Sequence, residues 1–168
     1  MPDCMRSLQL EQSIPVRNKT ATRPWQHVLE PLSGYLWLAA IMANPGLTRF
    51  EAARFASAFN FGPGHDSNRT VAGLVEEILK HWPGRWQDKA DPQPVHEATL
   101  LQLATDKAHA FLEWSPVWDF SESIAQTVQW YLAVMTNSGP EQPRELTVRQ
   151  IQSYSRHAAE RRMAWAVS

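Results

Sequence analysis

A chain of 168 residues with 43% apolar and 20% charged side chains can bury a substantial core and is too apolar for wholesale disorder. Its 16 basic and 17 acidic residues leave a net charge of -1, which excludes a general pull toward nucleic acid or a membrane surface, though not a local basic site. The single cysteine, Cys4, excludes an intrachain disulfide and a cysteine-rich zinc site, so a reducing cytoplasm is the expected compartment.

The first predicted element is a short helix from Asp3 to Leu10, with Pro2 just ahead of it. The residues before it have neither the basic start nor the apolar block of a secretory signal. A strand is expected over Ile14 to Arg17 and another over Trp25 to Val28. Between them runs Arg17-Asn18-Lys19-Thr20-Ala21-Thr22-Arg23-Pro24-Trp25. Arginine forks match phosphate oxygens and an indole can stack on a ring, but a solvated hairpin with outward arginines has the same pattern.

Pro31 to Ala43 reads as a helix, with proline tolerated in the first turn and Asn44-Pro45-Gly46 as its stop. It holds the longest apolar-rich stretch, Tyr35 to Ala43, about half of the roughly 20 residues needed to cross a bilayer. Ala58 to Phe61 is a strand candidate that leads into Gly62-Pro63-Gly64-His65-Asp66. That turn resembles a phosphate loop, but Ser67 occupies the third position of Gly-x-Gly-x-x-Gly, which favours a plain strand-to-helix turn.

The strongest helix runs from about Arg69 to Trp82. Val71, Leu74, Val75, Ile78, Leu79 and Trp82 fall on one stripe, and Glu76, Glu77 and Lys80 are expected to face water. Pro83-Gly84 ends it. Leu100 to Leu103 is the last strand candidate. A second amphipathic helix starts near Ser121, with Ile124, Thr127, Val128, Tyr131, Leu132 and Met135 inward and Asn137-Ser138-Gly139-Pro140 as its stop. Thr147-Val148-Arg149-Gln150 reads as a capping box that opens a helix toward Arg162, with Ile151, Tyr154 and Ala158 inward. The fold class is therefore α/β with an α+β character: helices joined by short strands and proline-rich turns, in one domain over 1-168.

The histidines lack the paired spacing of a zinc helix, so no metal is expected. His96-Glu97 could hydrogen-bond a ligand hydroxyl or phosphate, or lie free in solvent. The eight tryptophans read as core and interface packing, with ring stacking on a ligand as the alternative.

The run Thr22-Arg23-Pro24-Trp25-Gln26-His27-Val28-Leu29-Glu30-Pro31-Leu32-Ser33-Gly34-Tyr35-Leu36 resembles the signature of CDP-glucose 4,6-dehydratases, NAD-dependent members of the extended short-chain dehydrogenase/reductases. Pro2-Asp3, Ile14-Pro15-Val16-Arg17-Asn18, Phe59-Asn60-Phe61-Gly62-Pro63, His96-Glu97-Ala98, Lys107-Ala108, Trp114-x-Pro116-x-Trp118 and Gln129-Trp130-Tyr131 continue the likeness in order, over about 2-154, leaving 155-168 as a helical tail.

The resemblance implies a helix-rich, carboxy-terminal substrate-binding domain without a complete Rossmann domain. In such enzymes the missing portion holds NAD and this one grips the nucleotide diphosphate of CDP-glucose, on the way to CDP-4-keto-6-deoxyglucose and the deoxysugars of bacterial surface polysaccharides. It places Arg23 at the substrate phosphates and Trp25 near the nucleotide, with His96 and Glu97 on a later substrate-side loop; Arg17, from the same cationic run as Arg23, is a further substrate-binding candidate. It also implies what is missing. None of Tyr35, Tyr131 or Tyr154 is followed four residues later by lysine, so the Tyr-x-x-x-Lys pair that would take the substrate hydroxyl proton is absent, as is the glycine fingerprint for NAD. The chain alone is therefore expected to be inactive, with its front half lost, encoded separately as a Rossmann partner, or outside this sequence. Two local departures stand out: Ala104 replaces an acidic residue ahead of the Lys107-Ala108 helix, and Glu113 replaces the glycine usual before Trp114.

Overall fold

The computed structural model describes residues 1–90, 101–136 and 142–167. His96 and Glu97, the Asn137-Ser138-Gly139-Pro140 stop and Ser168 therefore lie outside the described residues, as does Leu100. Helices dominate: α1 (Pro2–Gln9), α2 (Leu29–Ala43), α3 (Val71–His81), α4 (Asp106–Leu112), α5 (Phe120–Thr136) and α6 (Pro143–Glu160). The strands are short: β1 (Ile14–Val16), β2 (Thr22–Pro24), β3 (Asn68–Thr70) and β4 (Trp86–Asp88). β1 pairs in parallel with β4, and β2 pairs antiparallel with β3. The expected helix-rich architecture with short strands is the one observed.

The apolar stripe of α3 does what its spacing predicts. Leu74, Val75 and Ile78 are buried against Met5, Leu8, Ile14, Val16, Ile124 and Val128, so α1, β1, α3 and α5 share one core. Each such side chain contributes about 1.5–3 kcal/mol by leaving water. Thr70 caps α3 by accepting from Gly73 N at 3.0 Å. Glu77 departs from expectation. It is buried, because Lys80 Nζ at 2.6 Å and the Ser121 hydroxyl at 2.8 Å donate to its carboxylate and pull it against α5.

A second core gathers Ile41, Phe55, Phe61, Ala108, Leu112 and Trp114, and a third gathers Val117, Trp118, Tyr154 and Ala158. α2 lies between them, and it begins two residues before the predicted start, leaving Pro31 in the first turn, where its missing N–H costs nothing.

Several strand expectations are corrected. Trp25 to Val28 is not a strand; pairing falls on Thr22–Pro24, because the following residues turn into α2. Ala58 to Phe61 pairs with no strand among the described residues, and side chains take its carbonyls instead. Lys107 Nζ donates to Ala58 O at 2.9 Å and Gln26 Nε2 to Phe61 O at 3.1 Å. Residues 101–103 form no strand either.

α6 also begins earlier than expected. Gln142 is its N-cap, with the Glu145 carboxylate accepting from Gln142 N at 3.4 Å, while Thr147 sits inside the helix and donates to Pro143 O at 2.8 Å. The buried positions are Leu146, Gln150, Tyr154 and Ala158; Ile151 is exposed, a correction set by the helix's actual rotation on α5. The tail is helical only to Glu160, followed by a short 3-10 turn at Ala164–Ala166.

At the two departures from the family pattern, Thr105 caps α4 without a side-chain hydrogen bond, and Glu113 ends α4 in the left-handed region at φ 50°. No described helix is long and apolar enough to cross a membrane.

Candidate functional site

β2 carries Arg23, and its partner strand puts Arg69 directly opposite. Trp25 N donates to Ser67 O at 3.2 Å and Val71 N to Ala21 O at 2.9 Å, on either side of this pair. Arg23 and Arg69 therefore occupy a hydrogen-bonded position of the ladder, with their side chains on the same face and Cα atoms about 5.5 Å apart. Arg23 is half-buried and its Nη1 donates to Thr22 O at 2.8 Å. The Arg69 guanidinium stands 5.9 Å from the Phe120 ring centroid. Guanidinium forks match phosphate oxygens in geometry and charge.

Two residues beyond Arg23, the Trp25 indole donates from Nε1 to Arg69 O at 3.0 Å and packs on the first core. Its outer side opens onto a cleft of about 540 Å³ between the start of α2, α5 and α6, shared with Gln26, Val28, Trp130 and Ile151. The Gln26 Oε1 atom is buried without a hydrogen-bond partner among the described residues. The aromatic walls of the cleft are suited to the face of a planar ring. Arg23 does not line this cleft.

Arg17 is not gathered with the others. It is exposed just past β1, in the other two-stranded sheet. Arg69, Gln26 and Trp130 were not singled out from the sequence. Arg69 could have been found only by pairing β2 with β3, whose register is a matter of residues 46 positions apart. No group of His, Cys, Asp and Glu that could hold a metal occurs among the described residues.

Much of the signature run is structural. His27 is buried, its ring edge-on to Trp118 at a centroid distance of 4.9 Å, and Nδ1 accepts from Leu29 N at 3.3 Å. Burial pushes its pKa down to about 4, so it is a neutral imidazole and not a phosphate-binding cation. The Glu30 carboxylate is fully buried and accepts from Val117 N at 2.9 Å, Trp118 N at 2.7 Å and the Tyr154 hydroxyl at 2.7 Å. Burial pushes this carboxyl above the ordinary range, and the two backbone N–H donors and the phenol partly offset that. Ser33 joins the same network, accepting from Trp114 Nε1 at 2.9 Å. Gly34 lies so close to Phe61 that a Cβ would run into the ring.

For a dinucleotide, the described residues offer no fit. The parallel pair is three residues per strand, and Gly62-Pro63-Gly64 leads into a 3-10 turn and then β3 rather than from a parallel strand into a helix.

No family model matches the chain. Over 135 residues, 79% of the chain, it is 36% identical to the CDP-glucose 4,6-dehydratase of Salmonella typhimurium (strain LT2). That stretch is 36% of the relative's length, so the chain spans little more than a third of the curated protein it matches, a coverage that fits a carboxy-terminal portion.

Proposed function

Kinship with part of a CDP-glucose 4,6-dehydratase is the premise from which we propose that this chain, as one domain over 1-168, binds the diphosphate of a cytidine-type sugar nucleotide and supplies substrate binding to a dehydratase rather than its redox centre. The observation that carries the proposal is the Arg23–Arg69 opposition on one ribbon face, with Trp25 two residues away opening onto an aromatic cleft. Guanidinium forks on that face would hold phosphate oxygens, and the indole would stack against the nucleoside ring. His96 and Glu97 would add contacts on the substrate side. The hydride and proton steps of dehydration would fall to groups outside this sequence, because no Tyr-x-x-x-Lys pair is present in it.

Calorimetry of the full chain with CDP-glucose, CDP and cytidine tests the proposal. Weak binding is expected for the two diphosphates, little for cytidine, and loss of the heat in Arg23→Ala. Equal heats in the parent and in Arg23→Ala would remove the site. A non-catalytic binding module and a dehydratase portion then separate on a second measurement: whether adding a Rossmann-half polypeptide and NAD restores conversion of CDP-glucose.

A further inference from the structure

Away from the Trp25 cleft, the segment that follows α2 closes a second cavity, of about 410 Å³, against α2 and the end of α4. Trp37 and Ile41 of α2, Leu47 and Phe50 of the segment, and Phe111 of α4 form its apolar walls. The fold holds these walls in place. The Trp37 indole donates from Nε1 to Leu112 O at 2.8 Å, and the Phe50 ring is edge-on to Phe111 at a centroid distance of 5.0 Å. Along the segment, Asn44 Oδ1 accepts from Gly46 N and Thr48 Oγ1 from Phe50 N, both at 3.2 Å. A cavity of this size, aromatic inside with a few polar groups at its edge, has the composition of a small-molecule site.

The polar groups are two opposite charges. Arg49 and Glu113 both line the cavity, and Arg49 Nη2 stands 4.0 Å from Glu113 Oε1. That distance is too long for a hydrogen bond, and neither side chain makes one elsewhere among the described residues. Both are mostly exposed, so the contact adds little to stability. The Arg49 guanidinium also lies 5.1 Å from the Phe50 ring centroid, which keeps it beside the aromatic wall. Glu113 sits at φ 50°, a backbone conformation that costs any residue with a Cβ and suits glycine. Among the described residues, no contact of its side chain offsets that cost. A strained, exposed carboxylate at the edge of an aromatic cavity points to a ligand rather than to the fold.

We infer that this cavity binds a free α-amino acid with an aromatic side chain. Opposite charges so close together call for a ligand that carries both signs on neighbouring atoms, and the apolar walls call for a ring attached to them. An α-amino acid meets all three demands. The Arg49 fork takes its carboxylate, the Glu113 carboxylate accepts from its ammonium, and the ring enters between Trp37, Phe50 and Phe111. The site shares no residue with the Arg23–Arg69 ribbon or the Trp25 cleft, so it stands independently of the nucleotide reading.

Calorimetry on the full 168-residue chain tests this with L-phenylalanine, with hydrocinnamate, which lacks the ammonium, and with phenethylamine, which lacks the carboxylate. L-phenylalanine is expected to bind, and each truncated ligand to bind at least about tenfold more weakly. Glu113→Gly should fold with an undiminished denaturation midpoint yet lose at least about tenfold in affinity for L-phenylalanine, while its weak affinity for hydrocinnamate stays as in the parent. Arg49→Gln should weaken both ligands, and Arg23→Ala neither. No heat from L-phenylalanine at millimolar concentration would overturn the inference. So would a truncated ligand that binds as tightly as the amino acid, or a folded Glu113→Gly that binds L-phenylalanine as the parent does.

Discussion

The Tyr154 hydroxyl on α6 donates a 2.7 Å hydrogen bond to the Glu30 carboxylate on α2, joining residues 124 positions apart in a site closed to water. The same carboxylate takes the backbone N–H groups of Val117 and Trp118. One side chain therefore ties α2, the loop before α5 and α6 together, which is why an acidic residue can sit at the centre of this fold.

Removing that carboxylate should leave buried donors without acceptors. Glu30→Ala is expected to cost at least about 3 kcal/mol in urea unfolding, Glu30→Gln and Tyr154→Phe about 1–2 kcal/mol each, with strong coupling in the double-mutant cycle. Additive losses for the Glu30→Gln and Tyr154→Phe pair would show that the contact does not carry the energy assigned to it.

His27 should make the fold sensitive to acid. Its pKa falls from an unfolded value of 6.5 to about 4 because burial disfavours the imidazolium. The unfolded state therefore takes up a proton first, so this contribution is complete above pH 6.5 and is lost as pH falls through 6.5 toward 4, up to about 3 kcal/mol. Glu30, whose carboxyl is raised, acts with the opposite sign: its destabilisation grows as pH rises above the ordinary carboxylate range. Comparing unfolding free energies of the parent and His27→Asn between pH 4 and 7 isolates the histidine; parallel profiles would exclude its role.

Glu113 holds a left-handed conformation at φ 50° as the last cap of α4, where glycine carries no Cβ penalty. Its only described ion pair is an exposed 4.0 Å contact to Arg49, worth little. Glu113→Gly is therefore expected to raise stability by about 0.5–1 kcal/mol, visible as a higher denaturation midpoint. A lower midpoint would mean that the side chain contributes something its exposure hides.

Gly34→Ala tests the contact between α2 and the second core. The added methyl meets the Phe61 ring, itself held edge-on by Trp114 at 5.1 Å, so the ring cannot simply swing away. A loss of about 1–3 kcal/mol is expected, with perturbed tryptophan fluorescence. Wild-type stability would show that this packing is looser than the geometry implies.

Helical periodicity was readable wherever one stripe faces one core. The inward sets of α3 and α5 could be named residue by residue, since Leu74, Val75, Ile78, Ile124 and Val128 repeat with the helix itself. The likeness to the dehydratase was equally readable, in the long run around Arg23. The roles inside that run were harder to separate. His27, Glu30, Ser33 and Gly34 are packing and hydrogen-bonding residues, and nothing in the order of residues distinguishes them from Arg23 and Trp25.

What local pattern could not supply depends on partners far along the chain. Glu77 was expected in water and is buried because Ser121 bonds it from α5. Ile151 was expected inward and faces out, since the rotation of α6 follows Gln150 Nε2, which donates to Gln126 O at 2.7 Å. Arg69 joins Arg23 only through the β2–β3 register. Spacing along a chain sets which side chains share a face, but the burial of a charge and the meeting of two arginines are settled by whatever packs against that face, and this is known only once the distant elements are in place.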